Sequence, residues 1–272
     1  MKNMLGNNES LRGLFQGPIT DLLVKLNGED GERVLVELNK FNRRDPCWVP
    51  EPTRVEIVEQ SPESPLPPVL TSTGNTFADW LTAREEIHKF LTGQKICFRD
   101  MFSVTDELLA RTDIMPAFRP AGATNRMAID WKKKLGIEVW EETDVMKYRH
   151  AKGPDIPKLC FINRSVRPDE STLGENAKSP NDLIQVELIK GTHWLNLFGY
   201  ADADNLHFKI TGEHLDSETW TWFPEDKLPG GSVAHGYWDA DLGKVKFYWS
   251  GAGRCDPGIG ARLASSIPLK TS

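Results

Sequence analysis

"FYWSGAGRCDPGIGARLAS", Phe247 to Ser265, runs three consecutive aromatics into a coil of Gly, Ser, Arg, Cys and Asp, then closes on an Arg-Leu-Ala step. It reads as the end of a strand, a low loop and a final strand. A nucleotide loop is excluded, because "GAGRCD" puts Asp256 where the third glycine of G-x-G-x-x-G is required and no strand–helix–strand unit follows. Working back from it, "GKVKFYW", "NLHFKI", "KLCFINRSV" and "IEVWEETDVMKY" alternate apolar and polar residues at period two, as strands do. The second half of the chain is therefore expected to be β-rich with long polar loops. With helices ahead of it, the class is α+β.

Aromatic density singles out the same region. Trp220, Trp222, Phe223, Tyr237, Trp238, Phe247, Tyr248 and Trp249 fall within thirty residues, where an even spread of the chain's aromatics would put about three. Strands favour aromatics, but here the neighbours are His235, Asp239, Asp241, Ser250, Gly251, Arg254, Cys255 and Asp256. Tyr and Trp among Ser, Gly, Asp and Arg is the composition of a recognition surface, rigid amphipathic anchors beside adaptable hydrogen-bonding groups. The candidate ligand-binding residues are Trp222, His235, Tyr237, Asp239, Asp241, Tyr248, Ser250, Gly251, Arg254, Cys255 and Asp256. Alternation about Trp238 and Trp249 should turn those two inward and send Tyr237, Asp239, Tyr248 and Ser250 to the opposite face.

Motifs for chemistry are weak. "DADNLHFKITGE" carries Asp202, Asp204 and Glu213 at calcium-loop positions, yet His207 stands where the turn needs glycine. Cys47, Cys97, Cys160 and Cys255 include no C-x-x-C pair, so zinc spacing is absent and no metal or cofactor is expected. His193, His207, His214 and His235 lie among carboxylates, but no G-x-S-x-G elbow or H-E-x-x-H helix accompanies them. A glycosidase-like hydrolase using carboxylates such as Glu213, Asp216, Glu218, Asp239 and Asp241 is the alternative function, since that chemistry needs only two of them at a suitable separation. The basic run Lys132-Lys133-Lys134 reads as a solvated helix face, and His88 as a satisfied histidine on its helix.

The chain has 272 residues and a net charge of −6, enough for a large core and the wrong sign for a nucleic-acid footprint. "MKNMLGNNESLRGLFQGPI" lacks the apolar stretch of a signal peptide, and no apolar run reaches the length of a membrane span, so a cytoplasmic location is expected. Residues 1–45 read as an N-terminal helical segment, with Leu22, Leu23, Leu26, Val34, Leu35 and Leu38 at helical spacing. Residues 46–69 form a Pro-rich linker or arm; Pro46, Pro50, Pro52, Pro62, Pro65, Pro67 and Pro68 prevent a helix. Residues 70–272 then make one α+β domain. It opens with the helix "TFADWLTAREEIHKFLTG", capped by Thr76 and ended by Gly93, and a short helix "SVTDELLARTD" with Ser103 as cap follows.

"TGEHLDSETWTWF", "GSVAHGYWDADLGKVKFYWSGAGRC" and "IGARLAS" together resemble the C-terminal part of a C-type-lectin-like domain of the formylglycine-generating type. Gly260, Arg262 and Leu263 would be its sealing Gly-x-Arg step. More narrowly the region is similar to the variable proteins of diversity-generating retroelements of phages and bacteria, and "FINRSVRPDESTLGENAKSP" is similar to stretches of uncharacterised bacterial proteins. The resemblance covers about the last half of the chain. It implies a lectin-like scaffold whose variable region, about residues 220–260, is rewritten by adenine-randomising reverse transcription. Asn-type template codons yield Tyr, Asp, Ser, Gly, Cys, Arg, His or Ala but never Trp. Trp238 and Trp249 would then be framework, and Tyr237, Asp239, Tyr248, Ser250, Gly251, Arg254, Cys255 and Asp256 diversified. Lys244 and Lys246 fall outside that route. The oxidase chemistry of the formylglycine enzymes needs a C-terminal cysteine pair, and after Cys160 only Cys255 remains. The expected function is non-enzymatic binding of a protein or glycan ligand.

Overall fold

The computed structural model describes residues 74–141, 153, 155–228 and 230–270, together with Glu32, Leu35, Val36 and Asn39. Those four are helical, inside the stretch read as helix from its spacing. The rest of the N-terminal segment and the Pro-rich arm lie outside the described residues. The chain divides into two units, Met1–Pro65 and Leu66–Ser272, and the second carries everything that follows.

Its first helix, α1 (Phe77–Thr92), starts at a reciprocal capping box between Thr76 and Asp79 and stops at Gly93, whose φ of 74° is left-handed. Trp80, Leu81, Ile87 and Leu91 are buried along it, and so are Arg84 and His88. The short helices α2 (Phe98–Met101) and α3 (Asp106–Ala110) follow. Thr105, not Ser103, caps α3 by accepting from the Leu108 amide, because the helix begins two residues later than the sequence suggested. Next come β1 (Ile114–Arg119), α4 (Asn125–Lys134), β2 (Val139–Glu141), β3 (Lys158–Asn163), α5 (Pro180–Leu183) and β4 (Thr192–Trp194). The chain continues through α6 (Leu197–Thr211), β5 (Trp220–Lys227), β6 (Ser232–Asp239), β7 (Lys244–Gly251), β8 (Ile259–Ala261) and β9 (Leu263–Ile267). The architecture is mixed α+β with two sheets. An antiparallel sheet has the order β1-β3-β9-β4; the second has the order β2-β7-β6-β5-β8 and is antiparallel except at its two margins, where β2 runs parallel to β7 and β8 to β5.

The stretch "NLHFKI", expected as a strand, is the second half of α6. Every residue from Leu197 to His207 is buried, so the helix has no polar stripe from which a period near 3.6 could be read. Asp202 and Asp204, tested above as calcium ligands, sit on this buried helix and are taken by cations of the chain itself. Arg84 meets Asp202 at 2.6 Å, and Lys132 meets Asp204 at 2.5 Å. Lys132 is thus no part of a solvated face: it is fully buried, and its Nζ also donates to Asn205 Oδ1 at 3.0 Å. Asp204 accepts from the Leu215 amide and lies 3.0 Å from His214 Nδ1. His214 is in turn sandwiched between Phe208 and Trp238, with ring centroids 4.1 and 3.8 Å away.

The Gly-Ala-Arg step has a physical cause at both ends. A Cβ on Gly260 would lie 2.7 Å from Pro168 and 2.8 Å from Leu173 and Thr172. Arg262 is buried and closes the domain: it pairs with Asp216 at 2.6 Å and donates to the Ser165 and Val166 carbonyls and to Thr221 Oγ1. Asp216 holds a left-handed φ of 56° to meet it and also accepts from Thr219 and Thr221.

Candidate functional site

Strand register assigns every side chain of the aromatic region to one of two faces. β6 and β7 pair His235 with Tyr248, Tyr237 with Lys246 and Asp239 with Lys244, while Ala234, Gly236 and Trp238 face Trp249, Phe247 and Val245. The second set packs on the main core, with Ala234, Phe247 and Val245 buried and Trp238 and Trp249 partly buried against it. The first set lines the opposite face. β5 adds Trp220 and Trp222 there, since Trp222 is the partner of His235, and β2 adds Trp140, the partner of Lys246.

This face is closed at one end and open at the other. Toward β5 and β8, Trp222, Val233, Ile259 and Ala261 are sealed under Leu183 and Trp194 in a separate buried cluster. Toward β7 and β2, Tyr237, Asp239, Tyr248 and Ser250 are half-buried, and Trp140, Asp241, Gly251, Arg254 and Cys255 are exposed. The loop from Ala252 to Gly258 borders the two zones. It is tied to the segment before α5 by the amide of Gly174, which donates to the Pro257 carbonyl, and to α5 itself by the amide of Asn181, which donates to the Ala252 carbonyl. Arg254 pairs with Asp256 at 2.8 Å and reaches Ser250 Oγ, so the loop residues meet the strand residues. Cys255 Sγ lies 3.4 Å from the Ala177 carbonyl on the same border.

Tyr237, Asp239, Tyr248, Ser250, Arg254 and Asp256 are therefore brought together from two strands and a loop. Trp222 and His235, which the sequence placed among the contact residues, lie beneath: they are 0% and 1% exposed, because the α5 segment and the Ala252–Gly258 loop cover the β5 end. Asp241 sits exposed in the β6–β7 turn. Trp140, Trp220 and Lys246 were not read as site residues. Trp140 reaches the site only through the parallel β2–β7 pairing, which no local pattern announces, whereas Lys246 is placed there by its pairing with Tyr237. Trp220 did show in the aromatic count and needed the register to place it.

The rings form one array. Trp220 stacks on Tyr237 at 4.5 Å and on His235 at 5.1 Å, both within 20° of parallel, and Tyr248 lies 4.7 Å from Trp140. The charges are matched internally: Lys246 with Asp239 at 2.6 Å, Lys244 with Glu138 at 3.1 Å, and Arg254 with Asp256. The hydrogen bond to Lys246 holds the Asp239 carboxyl below its ordinary range, and the same bond holds the Lys246 ammonium above its own.

Ser250 Oγ and His235 Nε2 are 3.1 Å apart, the spacing of a nucleophile and its base. The rest of such a set is missing. Burial, with Arg254 nearby, pushes His235 down to about 3, so its imidazole is a poor base at neutral pH, and its Nδ1 has no hydrogen-bond partner among the described residues to orient it. Of the five carboxylates named for a glycosidase, two are engaged, Asp216 by Arg262 and Asp239 by Lys246. Among the described residues no group of three or more His, Cys, Asp or Glu is placed to hold a metal, and no helix is long and apolar enough to cross a membrane. What the face offers is aromatic surface, hydrogen-bonding groups and neutralised charge. No family model, curated protein or solved structure matches the chain.

Proposed function

We propose that the open face of the five-stranded sheet is a display surface for binding another molecule without chemistry, on a lectin-like scaffold of the retroelement variable-protein type. The observation that carries this is the division of one hairpin into two roles. In β6 and β7 the residues set toward the core are Ala, Gly, Trp, Val and Phe, while those set away include Tyr237, Asp239, Tyr248 and Ser250, beside His235, Lys244 and Lys246. The fold can hold the first set fixed while the half-buried residues of the second set change, since substitutions away from the core cost little stability. Trp238 and Trp249, outside the reach of the randomised codons, belong to the fixed set. The loop residues Gly251, Arg254, Cys255 and Asp256 are exposed or half-buried and extend the variable surface. A protein partner suits the face best, because Tyr, Trp and Arg at a centre of matched charge are the residues that anchor protein interfaces.

The test is genetic. A reverse transcriptase gene and a near-identical template repeat should flank this one. Sequencing the gene's 3′ end from many cells should show substitutions at Tyr237, Asp239, Tyr248, Ser250, Arg254 and Asp256, with Trp238, Phe247 and Trp249 constant. A 3′ end that is invariant, or that varies equally at core-facing codons, overturns the proposal.

A further inference from the structure

Lys246 occupies a site built from its own cross-strand neighbours. Trp140 on β2 and Tyr237 on β6 are its direct partners on either side, Tyr248 stands two residues along its strand, and Asp239 lies diagonally across. The Nζ is 5.9 Å from the Trp140 ring centre, 5.8 Å from Tyr237 and 6.0 Å from Tyr248, and 2.6 Å from Asp239 Oδ2. A cation facing three aromatic rings and one carboxylate is the arrangement that recognises alkylammonium groups. Asp239 Oδ2 is shared with the Tyr237 hydroxyl, which donates to it at 3.4 Å. Asp239 Oδ2 and the Tyr237 hydroxyl oxygen are thus two acceptors for an ammonium with three N–H donors, while the ring faces stabilise charge and not donors. A quaternary ammonium, with no donors to satisfy, matches these walls better than a primary amine does.

We infer that Trp140, Tyr237, Tyr248 and Asp239 form a cage for a methylated ammonium group, in which Lys246 is an exchangeable internal occupant. The inference rests on the display reading in one respect, that the open face is where a partner arrives; register fixes the four positions, and the cage belongs to this sequence, since Tyr237, Asp239 and Tyr248 are among the residues that reading lets vary. Lys246 is anchored at its Cα and its side chain is long and flexible. Its head can swing to solvent and leave the rings in place for the cation of a partner. Left inside, it keeps the site closed to small cations.

The experiment uses the full chain and two probes, tetramethylammonium and trimethyllysine, at constant ionic strength. Ligand-observed NMR saturation transfer and a titration give the dissociation constants. Lys246→Ala should bind tetramethylammonium at least tenfold more tightly than wild type, and adding Tyr237→Ala or Asp239→Asn should weaken that binding at least fivefold. A folded Lys246→Ala protein that binds no better than wild type overturns the inference, as does binding indifferent to Tyr237 and Asp239. If Lys246→Ala does not fold, wild type decides. High tetramethylammonium should then saturably shift the Lys246 ε-methylene and the Tyr237 and Tyr248 ring protons, and unmoved resonances overturn the inference. None of these outcomes bears on whether the gene's 3′ end diversifies, so the two proposals fail separately.

Discussion

Replacing Lys132 by Met keeps the buried stem and deletes only the charge, which isolates the electrostatics of its buried ion pair. Lys132 and Asp204 are both fully buried and 2.5 Å apart. Burial alone would raise the Asp204 pKa, and Lys132 with His214 reverses this and holds it well below the usual carboxylate range. Without Lys132 the carboxylate keeps the Leu215 amide and His214 but no fixed cation. Breaking one side of a buried pair costs about 3–5 kcal/mol, and that is the loss expected near pH 7.5. The sign of the pH dependence follows. In wild type the depressed Asp204 contributes stability above the unfolded value near 3.9, lost as pH falls below it. In the variant its folded pKa rises above that value, so protonation relieves the unpaired charge as the solution is acidified. The difference between the two proteins should therefore shrink between pH 7.5 and 5, by at most about 1.4 kcal/mol per unit. Groups remote from this pair titrate alike in both proteins and cancel. Urea unfolding followed by near-UV circular dichroism reads it out, because eight of the nine tryptophans lie in the unit from Leu66 onward. A loss under about 1 kcal/mol at pH 7.5, or one that does not narrow at pH 5, refutes the reasoning.

Gly260→Ala should destabilise by about 1–3 kcal/mol through overpacking against Pro168, Leu173 and Thr172, while Gly251→Ala, whose Cβ meets nothing within 4 Å, should stay within about 0.5 kcal/mol in the same urea titration. Arg262→Lys loses the fork that serves Asp216 and two carbonyls at once, and thermal melts should show a loss of about 2–4 kcal/mol. Arg254→Ala should leave the melting temperature close to wild type, since its pair with Asp256 is exposed; a loss as large as that of Arg262→Lys would make the loop part of the core. Burial keeps His235 neutral in the folded protein down to about 3 and, with Arg84 adding to it, His88 down to about 4, while the unfolded chain takes up protons near 6.5. Stability should thus fall as pH drops from 6.5 toward those values, by on the order of 1–2 kcal/mol per histidine at pH 5, and His235→Phe should flatten that slope.

Local order was legible in the residues themselves. The capping box at Thr76, the stop at Gly93 and the period-two pattern of Lys244–Gly251 each depend on neighbours a few positions apart, and the sequence displays those directly. The assignment of Trp238 and Trp249 to one face and Tyr237 and Tyr248 to the other also follows from alternation within a strand. Helix α6 was not legible: burial on all sides erases the polar stripe, and "NLHFKI" happens to alternate. The burial of Lys132 was hidden for a related reason. Its three-lysine run looks solvated until Asp204, 72 positions away, is folded against it. Only the tertiary structure decided which charges are paired, that Trp222 and His235 lie under the face, and that Trp140 joins Lys246 across a parallel pairing. Those facts depend on chain segments meeting across long separations. Burial and the pairing of buried charges then fix them, and neither leaves a trace at the scale of a few residues.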